Sequence, residues 1–188
     1  MSLAIVKNRT ASLIICALFS ALIAVGAFIK VPIPAVPFTL QFLFTTLAGL
    51  LLGARLGSLS VAVYIAVGLL GIPVFTQGGG IGYILQPTFG YIIGFYLGTY
   101  ITGAIAQTSS QPTVKRLLIA NFAGLAVVYL VGMIYYYVVA NYYIQQPIGI
   151  WPLILYCFIL ALPGDIAICF VSAFLGKRLI PILNRGVR

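Results

Sequence analysis

Long apolar runs, broken by short stretches of Pro, Gly or charge, divide the chain into six. They run from about 11 to 29, 38 to 54, 56 to 70, 89 to 106, 117 to 140 and 152 to 175. Runs of this length are read as membrane spans. Inside lipid the backbone must satisfy its own polar groups, so each span is read as a helix. The second and third runs are short and meet at Gly53-Ala54-Arg55-Leu56-Gly57, a tight turn with one cation. The N-terminal run is too long for the core of a cleaved signal peptide and lacks a clear cleavage site, so it counts as span one. The pattern predicts an all-α integral membrane protein, a single domain over residues 1–188 with six transmembrane helices.

Composition agrees. Hydrophobic residues make up 63% of the 188 and charged residues 6%, against roughly 25% charged in a soluble domain. The ten Lys and Arg orient the spans. With the N-terminus inside, Lys7, Arg9, Arg55, Lys115, Arg116, Lys177, Arg178, Arg185 and Arg188 fall on the cytoplasmic side. Lys30 alone falls outside. Cytoplasmic loops carry an excess of Lys and Arg, so both termini are expected in the cytoplasm. The net charge of +9 does not point to nucleic acid, because these cations punctuate spans and do not cluster with aromatics on a polar surface.

The chain has one Asp, no Glu and no His. That excludes a paired-carboxylate hydrolase, a Ser-His-Asp triad, a His or carboxylate metal cluster and a relay of several acids. No enzymatic function and no cofactor are expected. Cys16, Cys157 and Cys169 sit inside apolar runs and are read as small buried residues.

The one acid, Asp165, lies about midway along the sixth span in Leu162-Pro163-Gly164-Asp165. A carboxylate there costs roughly 2.5–3.5 kcal/mol on insertion scales and marks a functional site. Its helix face carries Ala161, Ile168, Cys169 and Ser172, mostly small, which leaves room for a ligand. The alternative is a structural acid held by helix termini or by Lys30. Lys177 is twelve residues on, roughly 18 Å along a helix, and is no partner.

Three loops face outward. The first, Lys30 to Pro37, holds three prolines and is expected to be stiff and extended. Lys30 is either an anion contact or a snorkelling side chain. The second, about 71 to 88, is long for a connection; Phe75, Gln77, Gly78, Gly79, Gly80 and Tyr83 suit a lid over a bound molecule. The third, about 141 to 151, carries Tyr142, Tyr143 and Trp151, an interfacial belt. Thr39 and Gln41 open span two, and Gln86, Thr88 and Tyr91 open span four at the same outer level. They either line the wall of one pocket or, for Thr39 and Thr88, cap helices. On span one, Ala17-x-x-x-Ala21 and Ser20-x-x-x-Ala24 form a flat stripe for close helix packing, internal or with a partner.

Four motifs then converge. They are Ile33-Pro34-x-x-Pro37-x-Thr39-x-Gln41, Gly68-Leu69-x-Gly71-x-Pro73-Val74-Phe75 with Gly78-Gly79-Gly80, Pro87-Thr88-x-Gly90-Tyr91-x-x-Gly94-Phe95, and Pro163-Gly164-Asp165. Over nearly the whole chain they resemble the BioY family, the biotin-binding subunit of energy-coupling-factor vitamin transporters. The resemblance implies a six-helix subunit in a bacterial cytoplasmic membrane that binds biotin from outside. It also implies a transmembrane coupling subunit and cytoplasmic ATPases as partners, with Ala17 and Ala21 as the docking stripe. Biotin's ureido N–H groups would be accepted by Asp165 in charge-assisted bonds. Its apolar parts would meet Phe75, Tyr83 and Tyr91. The chain departs from the family at Ile168, where many members carry Lys, and at Gln86 and Phe89, which replace glycines flanking Pro87-Thr88. Lys30, Gln86 or the backbone N–H groups of Gly78 to Gly80 are the candidates for the ligand carboxylate. The other readings are a subunit for a different small vitamin or a biotin precursor, and a membrane scaffold that binds no solute.

Overall fold

The computed structural model describes residues 9–109 and 111–185, apart from the side chains of Arg9, Asn184 and Arg185. Lys7 and Arg188, two of the cations used for orientation, lie outside the described residues, as do those of the Arg9 and Arg185 side chains. Helices dominate: α1 (Arg9–Phe28), α2 (Gln41–Leu69), α3 (Phe89–Ala106), α4 (Val114–Val138), α5 (Ile150–Ile154) and α6 (Leu162–Arg185). Two two-residue strands, β1 (Lys30–Val31) and β2 (Phe38–Thr39), pair antiparallel with Lys30 opposite Thr39. The proline loop is therefore the bend of a small hairpin. Its prolines lie between the paired residues, where their missing N–H groups cost nothing.

Five helical stretches are long and apolar enough to cross a membrane: Thr10–Phe28, Gln41–Leu69, Phe89–Ala106, Val114–Tyr143 and Ile150–Leu183. The second is not straight. Gly53 has φ +81 and ψ −175, a region essentially closed to residues with a Cβ. A straight helix would hold Gln41 and Tyr64 roughly 34 Å apart, yet Gln41 Nε2 donates to Tyr64 Oη at 2.7 Å. So α2 doubles back at Gly53 into two antiparallel arms, 41–52 and 54–69. The turn anticipated at 53–57 is present, although the helical backbone on its two sides is otherwise continuous. Gln107 Oε1 accepts from Ala54 N at 3.4 Å, giving the freed N–H a partner.

The helices pack in the order α1, α2, α3, α4, with α6 against α2 and α4. Glycine lets α3 and α4 approach: a Cβ on Gly98 would stand 2.8 Å from Gly124 O. Without water in the bilayer, such close packing of small residues replaces the hydrophobic effect between helices. One core cluster, around Phe42, Tyr64, Phe75 and Tyr129, lies toward the hairpin and the long loop; a second, around Leu50, Leu117 and Ala173, lies toward the opposite ends of the helices.

The last helical run is also interrupted. Wide turns occupy Leu155–Ile159, where Leu160 N donates to Leu155 O. Pro163 follows and has no N–H to give. Asp165 lies near the middle of the Ile150–Leu183 stretch, as the sequence placed it, and in the first turn of α6 after this interruption.

Candidate functional site

A cavity opens between α2, α3, α4 and the last helical run, beneath the hairpin and the long loop. The hairpin supplies Val36, Pro37, Phe38 and Thr39, the long loop Thr76, Tyr83 and Thr88. Gln41 and Phe42 come from α2, and Tyr91, Ile92 and Phe95 from α3. Leu125, Val128 and Tyr129 come from α4, Cys157, Ala161 and Asp165 from the last helical run.

Asp165 sits at this wall and is 9% exposed. Among the described residues no cation pairs with it. Its partner is Tyr129, whose hydroxyl donates to Asp165 Oδ2 at 2.5 Å. The Tyr129 ring stands edge-on to Phe158 at 4.8 Å and to Tyr91 at 6.3 Å. Tyr91 is itself fixed, its hydroxyl donating to Cys157 O at 2.8 Å. That carbonyl belongs to the widened turn before α6, so the same break that places Asp165 also provides the anchor for Tyr91.

The opposite wall is a second polar group. Thr39 Oγ1 donates to Gln41 Oε1 at 3.3 Å, and Gln41 Nε2 donates to Tyr64. Tyr64 Oη in turn donates to Val74 O at 3.2 Å. Neither threonine acts as a helix cap. The residue before α2 is Leu40, and Thr88 precedes α3 without a side-chain capping bond. Thr88 Oγ1 instead lies 3.5 Å from Tyr83 Oη, which is 3.0 Å from Thr76 Oγ1.

Thus Thr39, Gln41, Tyr83, Thr88, Tyr91 and Asp165 are brought together on one cavity. Five other expected contacts stand off it. Phe75 is fully buried behind Tyr83, ring centroids 4.5 Å apart, with Gly68 beneath it. Gly79 packs over Ile72 and Gly68, and Gly80 N donates to Gly68 O at 2.7 Å. Those bonds tie the glycine loop to the end of α2. Gln86 is exposed. Lys30 is exposed and its Nζ donates to Thr76 O at 3.0 Å, so it bridges the hairpin to the long loop. On α1, Ser20 is buried with its Oγ 2.7 Å from Ser60 O, whereas Ala17 and Ala21 point away from the bundle and are exposed.

Tyr129, Tyr64 and Thr76 were missed from the sequence. Tyr129 had a signal: it lies well inside α4, away from the ends where belt tyrosines sit, and a buried phenol needs a partner.

The fold and site define a multi-pass helical membrane protein with a cavity under its hairpin and long loop. The model of the BioY family matches residues 2–185, and the chain belongs to that family. It is 47% identical over 178 residues to a Lysinibacillus sphaericus protein called "Probable biotin transporter BioY", covering 95% of this chain and 91% of that one. It is 38% identical over 135 residues to the biotin transporter BioY of Thermotoga maritima, covering 71% and 76%. Its fold is similar to the crystal structure of an S-component for biotin from an ECF-type ABC transporter, with TM-score 0.76, 26% identity and 92% of each chain covered.

Proposed function

We infer that this chain is the substrate-binding membrane subunit of a biotin uptake system. The observation that carries the ligand reading is the cavity with the sequence's one acid, Asp165, in its wall. Biotin's cyclic urea carries two N–H donors that point away from each other, and a carboxylate can accept one of them in a strong, charge-assisted bond. The thiophane ring and valeryl chain would lie against Tyr91, Phe95 and Val128. The ligand carboxylate would reach the rim, where Thr76, Tyr83 and Thr88 present hydroxyls and Lys30 stands on the Thr76 carbonyl. The hairpin and the long loop would admit the ligand from outside.

The reading further takes the two arms of α2 as separate crossings, six in all. Both termini face the cytoplasm of a bacterial inner membrane, in keeping with the distribution of Lys and Arg. Energy would come from a transmembrane coupling subunit and cytoplasmic ATPases, with the exposed Ala17 and Ala21 on α1 as the docking stripe.

Calorimetric titration of the purified protein in detergent with biotin, biotin amide and desthiobiotin tests this. Saturable one-to-one biotin binding is expected. Folded protein that binds none of the three would overturn the ligand reading, while preference for a different vitamin would reassign the site.

A further inference from the structure

We propose that Tyr129 is a positioning residue for ligand recognition: its hydroxyl holds Asp165 so that the carboxylate's free oxygen is presented to a ligand N–H donor. This rests on the reading of Asp165 as the ligand-binding acid.

The geometry supplies a reason for such a residue. A carboxylate removed from water needs compensation, and unpaired buried charges are costly. Among the described residues no cation supplies it, and position 168 on the same helix face is a buried Ile. The phenol of Tyr129 is the partner, bonded to Oδ2. Oδ1 has no protein hydrogen bond among the described residues, and Asp165 lines the cavity.

The phenol cannot swing away easily. Its ring is bracketed by Phe158 and Tyr91, both near perpendicular at 83° and 88°. Tyr91 is locked in turn by Cys157 O. Rotation of the carboxylate about its χ2 angle is broad when nothing restrains it. Held by one oxygen, it keeps the other turned to one side, where a urea N–H can meet it. Pre-setting the acceptor removes an ordering cost that ligand binding would otherwise bear.

The test is a double-mutant cycle read by biotin titration. Tyr129→Phe keeps the ring between Tyr91 and Phe158 and removes only the hydroxyl. It should weaken biotin about tenfold, the scale of one hydrogen bond to a charged group. In an Asp165→Asn background the same change should cost less than about twofold, because the second carboxylate oxygen, which Tyr129 presents to the ligand, has become an NH2 group that cannot accept. Losses that multiply in the double variant would make Tyr129 a packing residue and overturn the proposal, as would unchanged affinity in Tyr129→Phe. Para-aminophenylalanine at position 129 restores a donor and guards against a Phe variant that does not fold. It should bind within about threefold of wild type; a folded protein that stays tenfold weaker overturns the proposal. Wild-type protein that binds no biotin overturns the functional reading itself, and is told apart from these outcomes because it needs no variant.

Discussion

Asp165 concentrates the chemistry of this molecule at one residue. Every other ionisable side chain in the described spans is a phenol, a thiol or a cation near an end. A lone carboxylate in a cavity that otherwise offers hydroxyls, an amide and apolar walls would discriminate by donor pattern: it favours an N–H group beside it and keeps a ligand's own anionic group at the far end. Asp165→Asn should therefore weaken biotin by about 2 kcal/mol, roughly thirtyfold, for one charge-assisted bond lost. The melting temperature should change little, since the Asn carbonyl can still accept from Tyr129. Near-normal affinity in titration would leave Asp165 with a structural role only. Lys30 belongs to the same scale but works at the rim. Because it is exposed, its contribution is small and screened. Lys30→Ala should weaken biotin by about fivefold or less and weaken biotin amide less than that. Equal losses for both ligands would show that Lys30 does not read the carboxylate and acts only as a bridge between the loops.

At the scale of elements, two interruptions of helix organise the site. The first is the reversal at Gly53. It brings Tyr64 beside Gln41, and through Tyr64 it ties the cavity wall to the carbonyl of Val74 at the base of the long loop. A Cβ on Gly53 would fall 1.7 Å from Gln107 Nε2 and would also enter a backbone region that costs about 1–3 kcal/mol. Gly53→Ala should lower the melting temperature in detergent by several degrees, and Gly53→Val by more. It should weaken biotin too, because Gln41 and the loop lose their common anchor. A Gly53→Val protein with unchanged melting would mean that the arms pack strongly enough to tolerate the strain. The second interruption lies at Leu155–Ile159 and Pro163. Widened turns of this kind occur often at functional sites. Here one frees the Cys157 carbonyl for Tyr91 and starts α6 just before Asp165.

At the scale of the whole molecule, the two faces of α1 divide internal from external work. Ser12, Cys16, Phe19, Ser20, Ile23 and Ala27 are buried, a helical stripe toward α2. Ala17 and Ala21 lie on the other side, among exposed Leu13, Ile14, Leu18 and Val25. Lipid would cover such a face adequately, but two small residues one turn apart also leave a flat place for another helix. Replacing both Ala17 and Ala21 by Trp should leave biotin affinity within about twofold, since neither touches the cavity. It should abolish copurification with the proposed coupling and ATPase subunits and stop energised uptake in cells. Unimpaired uptake by the double variant would move the docking surface elsewhere.

Much of this was legible in the residue order. The hydrophobic runs and their breaks marked where helices lie, because an unpaired backbone is intolerable in lipid whatever its neighbours are. The rarity of acids singled out Asp165, because charge burial is costly in any fold. The motifs around Pro37, Gly78 and Thr88 carried the family resemblance. Other features depend on distance in space. That α2 folds back so that Gln41 meets Tyr64, that Asp165 begins a helix, and that Phe75 supports Tyr83 from behind are decided by which helices pack together. The same holds for Tyr129. Its hydroxyl needs a partner by its own chemistry, but α4 and α6 must pack before that partner becomes Asp165, thirty-six positions away in the chain. Solvation acts on each residue where it stands and is written along the sequence. Hydrogen-bond partnership between helices depends on their register and approach, and only the tertiary structure supplies it.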